Sequence, residues 1–572
     1  MLCFRLLLVV VFAFQIAQAD EPADLLFHNG KIATVDVDFR IVSALAVRDG
    51  KITAVGTDEQ VLAQRGPKTE VIDLRGKFVV PGLIDSHVHP DSAAMHEFDH
   101  SIPAMESIED VLAYIVARAK VVPEGEWITL RQVFITRLKE QRYPTKEELD
   151  QAAPKHGVMF ATGPDAMLNS LALEQSGINA DFRPVGQGQI ERFADGTPTG
   201  MLRSCAFHAK PKTFSARTPT EEERLEQLRK LFADYNSVGL TSVADRNAEN
   251  EAVGRCQVLK ERNALTVRVA FSMTLDNQGS IEKTKERLAE VARHPLRQGD
   301  DWLKVIGVKT FLDGGMLTGS AYMRQPWGVS EIYTIRDPQY RGNLFIPPER
   351  LVPMVRATVE AGLQFTAHSV GDGAIHNLLD AYAEVNKEIP VAPTRPCLTH
   401  ANFMSSEAID QMATLGVVAD MQPAWLYLDA HTLHRQFGEE RLRWFQPMKT
   451  LFERGVIVGG GSDHMQRIGS LRSVNPYNPF LGMWTTITRQ SKHHTGSLHP
   501  EEALGREQAL RFYTRNNAYL LFREQEIGSL EPGKWADLVI LDRDLLTCPI
   551  DDLKETQVVK TFVAGKEAYS AK

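Results

Sequence analysis

Short apolar runs without polar alternation recur through the middle of the chain, most of them preceded by an amphipathic stretch. The runs are "LTSVAD" (240–245), "TVRVAFSM" (266–273), "LKVIGVKTF" (303–311), "LQFTAH" (363–368), "RPCLTH" (395–400), "GVVADMQ" (416–422) and "GVIVGGGSD" (455–463). The stretches "PTEEERLEQLRKLFADYNSVG" (219–239) and "IEKTKERLAEVARH" (281–294) carry helical spacing. Unalternating apolar strands between helices predict parallel strands covered on both faces. With "FVVPGLIDSHVH" (78–89) as the opening strand the count reaches eight, the number that closes a (β/α)8 barrel.

The two ends of the chain read differently. "LLFHNGKIATVD" (25–36), "ALAVRDGKITAVG" (44–56) and "EVIDLRGKFVVPGLID" (70–85) are short runs broken by N-G, D-G and R-G, which predicts hairpins. "ADLVILD" (536–542) and "VVKTFVAGKEAY" (558–569) repeat that texture. Each end is too slight to hold a core alone, so one composite β-sandwich built from both is expected. The predicted organisation is a signal peptide over 1–19, sandwich over 20–81 and 525–572, and barrel over 82–524. A bare barrel needs about 250 residues, so an insertion is placed at about 100–215. Its expected elements are a helix in "SIEDVLAYIVARAK", strands in "EWITLRQVF" and "GVMFATG", and a helix in "DAMLNSLALEQSG".

Composition narrows the class. The chain has 572 residues, 43% of them hydrophobic and 24% charged, with a net charge of −9. No Lys/Arg-rich block is present, so nucleic acid is not expected as a partner. "MLCFRLLLVVVFAFQIAQAD" has an early Arg5, an apolar run Leu6–Phe14 and Ala17-Gln18-Ala19. This predicts a secretory signal peptide cut near Ala19 and a periplasmic or secreted protein with no integral membrane segment in the mature chain. Cys205, Cys256, Cys397 and Cys548 form no C-x-x-C pair, which argues against a cysteine metal site and leaves room for one or two disulfides. A homodimer is compatible with the sequence.

Candidate chemistry collects at strand ends. His87 and His89 close the first strand, Lys309 lies near the end of the fourth, His368 and His400 close the fifth and sixth, and Asp463 closes the eighth. In a parallel barrel these ends share one face, where active sites form. Side chains alternate along a strand, so His87 and His89 point the same way and can meet one ion of zinc size. With 17 histidines in the chain, a His-x-His pair alone carries little. The order of metal-ligand types across separate strand ends carries the argument. A second motif, "HEFDH" (96–100), spells the H-E-x-x-H of zinc peptidases. Pro90 and Pro103 bracket it, and it reads as a loop or short helix over the barrel mouth.

"VVPGLIDSHVHP" resembles the metal-binding opening of the amidohydrolase superfamily, and "GSLEPGKWADLVILD" its return into the β domain. "LNSLAL", "DGTPTGMLRS", "VKTFLDGGMLTGSAY", "AHSVGDGAIHNLLD", "RPCLTHANF" and "GGGSDH" are similar to the amidohydrolase-3, YtcJ-like branch, in order over nearly the whole mature chain. The resemblance implies a distorted barrel with a β-sandwich and hydrolysis of a non-peptide C–N bond in an amide, cyclic amide or N-acyl compound. It implies His87, His89, His368 and His400 as ligands of one or two divalent ions, most readily zinc, and Asp463 as a ligand that also activates water. Lys309 matches a lysine that is carboxylated in binuclear members. A free ammonium cannot ligate, and the other readings pair Lys309 with Asp313 or set it against a substrate anion. The chain departs from the pattern at Pro164, Asp165, Ser204 and His464, so Arg203, His464 and Arg467 are candidate substrate contacts. The rival functions are deamination of a heterocycle and a non-catalytic exported binding or regulatory protein.

Overall fold

The computed structural model describes residues 21–131, 133–163, 165–185, 188–212, 218–276 and 278–572. The expected signal peptide, and Pro164, lie outside these residues. An eight-stranded parallel sheet holds the centre. Its strands are β1 (Leu83–Val88), β2 (Leu240–Ala248), β3 (Arg268–Thr274), β4 (Leu303–Phe311), β5 (Gln364–Ser369), β6 (Cys397–His400), β7 (Val418–Met421) and β8 (Val458–Gly460), neighbours in that order. All eight sit where the apolar runs place them. The fold is mixed α/β with a nearly closed barrel.

The last gap closes through the segment after β8 rather than through a regular ladder. Asp463 N–H donates to His87 O at 2.8 Å, and His89 N–H donates to His464 O at 2.8 Å. Gly461 permits this approach: a Cβ there would stand 1.8 Å from Asp85 Oδ1. Asp85 in turn accepts from Ser462 Oγ at 2.6 Å and from Ser462 N–H at 3.1 Å. The carboxylate of β1 thus clamps the segment that carries Asp463.

The covering helices form as their sequences require. Helix Glu221–Ser237 opens on a capping box in which Thr220 accepts from Glu223 N–H and Glu223 reaches back to the Thr220 N–H. It buries Leu225, Leu228, Leu231, Phe232 and Tyr235, spaced three and four apart, in the main core.

The termini build two further sheets. One has the order Lys51–Gly56, Ala44–Arg48, Leu25–His28, Glu70–Asp73. The other runs Lys566–Ser570, Val558–Val563, Leu538–Leu541, Phe78–Pro81, Lys31–Ala33, Ile41–Val42. Both ends of the chain therefore share the second sheet, and the two sheets pack face to face, with Phe27 edge-on to Phe562 at 5.1 Å. Of N-G, D-G and R-G only D-G makes the expected hairpin, with Asp49 and Gly50 both at positive φ, and Ala564-Gly565 makes another between Val558–Val563 and Lys566–Ser570. N-G and R-G instead carry the chain from one sheet to the other. "FVVPGLIDSHVH" likewise breaks at Gly82 into a sandwich strand, Phe78–Pro81, and barrel strand β1.

The insertion forms a five-stranded sheet ordered Gln189–Arg192, Pro198–Arg203, Ala166–Leu168, Gly157–Ala161, Trp127–Arg131, with helix Ile108–Ala119. The helix expected from Asp165 starts only at Ser170. Asn169 caps it, accepting from Ala172 N–H at 2.9 Å, while Ala166–Leu168 pairs antiparallel with Met159–Ala161. Cys205, Cys256, Cys397 and Cys548 are free thiols, so none of the disulfides considered is formed among them. No helix of the described residues is long and apolar enough to cross a membrane.

Candidate metal centre

The strand-end residues converge on a cleft of about 960 Å³ at the barrel mouth, lined by His87, His89, Lys309, His368, His400 and Asp463. Ligand atoms of His87, His89 and Asp463 lie within 4.8 Å of one another. Asp463 Oδ1 is 3.2 Å from His89 Nε2 and 3.5 Å from His87 Nε2. The His400 ring lies 5.1 Å from that of His87 and 4.5 Å from that of His368. Lys309 is buried in the same wall and forms no ion pair among the described residues. The pairing with Asp313 is not made: that carboxylate accepts the N–H groups of Tyr322, Val370 and Gly371 at 2.9–3.0 Å.

Burial sets the electrostatics. Loss of water, then the charge of Lys309, holds His87 well below the usual imidazole range and His368 at about 3. His400 is also held well below by burial, then by His368 and Lys309. These three rings are neutral near pH 7, the form that ligates. Burial lowers Lys309 to about 8, despite the opposing pull of Asp463 and Asp420. Backbone strain gathers here: His400, Ala401, Asp463 and Arg467 all hold positive φ, at 77°, 46°, 56° and 66°.

The test of metal fit is one atom. His87 Nδ1 donates to Asp420 Oδ2 at 3.0 Å, while His87 Nε2 is buried without a hydrogen-bond partner. An orphan imidazole nitrogen, oriented by a carboxylate behind it and facing a second imidazole and a carboxylate, fits a bound cation. His400 is oriented alike, donating from Nδ1 to Gln422 Oε1 at 2.7 Å and stacked on Trp425 at 4.5 Å.

Asp420 and Gln422 were not identifiable from the sequence, though both close the apolar run of β7. Asp420 also accepts from Ser86 Oγ at 2.7 Å and lies 3.8 Å from Arg246 Nε. Arg246 spans the barrel interior, donating to Ser86 O, Ser272 Oγ, Gln364 Oε1 and Thr366 Oγ1.

Other expected residues lie elsewhere. Arg203 is held by Glu191 at 2.8 Å, Asp165 at 3.5 Å and Thr334, outside the cleft wall. His464 is fully buried, with Nδ1 2.8 Å from Tyr235 Oη and Nε2 facing the carbonyls of Gln466 and Arg467. Arg467 lines a neighbouring cavity. "HEFDH" is not helical. The helix Pro90–Met95 stops before it, Glu97 accepts from Arg472, and His100 meets Tyr114 Oη at 2.8 Å. A peptidase motif needs both histidines on one helical face, so that reading fails here.

A profile of the Amidohydrolase family matches residues 70–569. The chain belongs to that family. The amidohydrolase is 30% identical over 567 residues to the N-substituted formamide deformylase of Arthrobacter pascens, covering 96% of this chain and 99% of that protein. It is 25% identical over 568 residues to YtcJ of Bacillus subtilis (strain 168), covering 95% and 99%. An uncharacterized metal-dependent hydrolase from Pyrococcus horikoshii OT3 shares the fold, with a TM-score of 0.66 at 22% identity over 92% of this chain and 99% of that one. As a member of the Amidohydrolase family, the chain is a hydrolase of carbon–nitrogen bonds.

Proposed function

We propose that this amidohydrolase cleaves small non-peptide amides, N-acyl and N-formyl amines among them, at a zinc centre held by His87, His89 and Asp463 and completed by His368 and His400. The observation that carries the reading is the orphan Nε2 of His87, aimed with His89 toward Asp463. The likeness to a formamide deformylase over nearly the full length of both chains supports an amide substrate. So does a cleft with apolar walls, Phe311, Met316, Phe345 and Trp425 among them, beside a few polar groups. A divalent ion bound there supplies water acidification and polarisation of the substrate carbonyl.

The chain's own groups do the rest. Asp463 takes the proton of the attacking water on its carboxylate and hands it to the leaving nitrogen as the C–N bond breaks. Its main chain is fixed from both sides, by the N–H bond to His87 O and by Asn475 Nδ2 donating to Asp463 O at 2.8 Å. Asp420 and Gln422 hold the two imidazoles by Nδ1, so that neither ring turns away. Lys309, buried with its pKa lowered to about 8, would hold part of its population as a free amine, and addition of CO2 with release of one proton would turn it into a carbamate able to hold a divalent ion. The run Leu6–Phe14 with Ala17-Gln18-Ala19 supports export.

Metal analysis of purified protein, with mass measurement at Lys309, tests the centre. His89→Ala should lose bound metal and His100→Ala should keep it; the reverse result would overturn the assignment. A panel of N-formyl amines, N-acyl amino acids and lactams, read beside an ammonia-release assay, separates amide cleavage from deamination.

A further inference from the structure

Beside the metal cleft lies a second cavity of about 1020 Å³. The two share Phe134 as a wall residue, and the segment after β8 runs between them. Asp463 and Met465 face the cleft, whereas Gln466 and Arg467 face the second cavity. Arg467 is 7% exposed and sits at a strained φ of 66°. Its Nη2 donates to Pro103 O at 2.9 Å, its Nε is buried without a partner, and it forms no ion pair among the described residues. Four other cations of this wall have carboxylate partners, Arg118 among them at 3.6 Å from Asp99, while Arg131 and Lys554 form no ion pair among the described residues. Arg137 is bound by Asp429 at 2.9 Å and Lys492 by Glu106 at 3.0 Å. Arg472 takes both oxygens of Glu97, the carboxylate that Arg467 would otherwise use. His96 Nδ1 is a second buried atom of the wall with no partner. Trp127, Leu130, Val133 and Phe134 supply an apolar lining.

The nearby charge of Glu97 acts on Arg467 but is bound by Arg472, and a buried guanidinium short of a counter-charge is costly, a cost that a ligand anion offsets. Its planar fork selects carboxylates, and apolar walls with one convergent charge are how proteins bind small organic ligands. We propose that this cavity is a subsite for an apolar, carboxylate-bearing portion of the substrate, anchored by Arg467 and reached past Phe134. The placement of that carboxylate on the substrate rests on the amide-hydrolase reading; the binding of a carboxylate in the cavity does not.

The test uses the metal-loaded full chain. Phenylacetate should bind about tenfold more tightly than phenylacetamide, the margin of one charge-assisted hydrogen-bonded pair. Arg467→Gln should remove that preference. Lys492→Gln, an equal change of charge at a group already paired with Glu106, should leave it within about twofold. Crystals soaked in 4-bromophenylacetate should show the bromine's anomalous signal beside Phe134 and Trp127. Bromine found only in the cleft of His87 and His89, or no carboxylate preference in the unmodified protein, would overturn the subsite whether or not the variants fold. For N-formylphenylalanine, Arg467→Gln should raise KM about tenfold; for N-formylphenethylamine, which lacks the carboxylate, KM should not move. Equal effects on both would overturn the assignment to substrate. Absence of turnover of either compound counts against the amide reading and leaves the binding and soaking results to decide the subsite.

Discussion

Asp420→Asn is the most direct probe of how the centre is held. The carboxylate accepts from His87 Nδ1 at 3.0 Å and Ser86 Oγ at 2.7 Å, and it stands 3.8 Å from Arg246 Nε. An asparagine keeps the size but loses the charge, and its amide can offer an oxygen to only one of the two donors. Loss of the carboxylate behind a metal-binding imidazole lowers metal affinity by roughly 10–100-fold, or about 1.4–2.7 kcal/mol. A second effect falls on stability. Arg246 is fully buried and Lys309 nearly so, and Asp420 is the carboxylate between them. At an effective dielectric of about 20, a unit charge at the Arg246 distance is worth on the order of 4 kcal/mol before desolvation is counted. Breaking a buried pair from one side costs about 3–5 kcal/mol. Competition against a chromophoric zinc chelator reads the first quantity, and urea unfolding of the metal-free chain reads the second. Ser86→Ala, which removes one donor and leaves the charge, should move both far less. A folded Asp420→Asn protein with unchanged zinc affinity and unchanged unfolding midpoint would refute the role assigned to Asp420.

Gly461→Ala places a methyl group 1.8 Å from Asp85 Oδ1. It should therefore loosen the clamp on Ser462, displace Asp463 and lower metal content, with a stability loss of about 1–3 kcal/mol in thermal melts; full metal occupancy with normal melting would contradict it. Asp537→Ala strands Arg268, whose Nε meets Asp537 Oδ2 at 2.7 Å in the buried seam between barrel and sandwich. It should cost about 3–5 kcal/mol in urea unfolding, and a loss below about 1 kcal/mol would show that stacking on Trp302 and Trp535 carries the arginine instead.

The barrel was legible because a strand buried on both faces has no polar alternation to hide it, and four of the eight runs carried a histidine or lysine at or near their end while the last closed on Asp463. His87, His89, His368, His400 and Asp463 could be picked out for that reason. Asp420 could not. Within "VVADMQ" it is one carboxylate in an apolar run, and its meaning comes from His87 and Arg246, both more than a hundred positions away. Asp85 was hidden in the same way behind the His-x-His that follows it. The insertion misled because Ala166, Met167 and Leu168 are good helix formers, while pairing with Met159–Ala161 outweighs that preference. N-G and R-G misled because a turn residue fixes a local bend and says nothing about which sheet receives the next strand.

The place of Leu538–Leu541 in the second terminal sheet has a bearing on how the molecule is made. This strand lies between Phe78–Pro81 and Val558–Val563, in the interior of the sheet rather than at its margin. During synthesis Phe78–Pro81 thus waits, with one edge open, through the whole of the barrel before its neighbour exists. Such an edge invites pairing with other chains, and contacts of this sequence separation form late. His87 lies six residues beyond Pro81 on the same stretch of backbone. A chain stopped short of residue 538 therefore presents a sticky strand beside a half-anchored His87, which makes truncated products targets for aggregation and degradation before they can act as stray hydrolases.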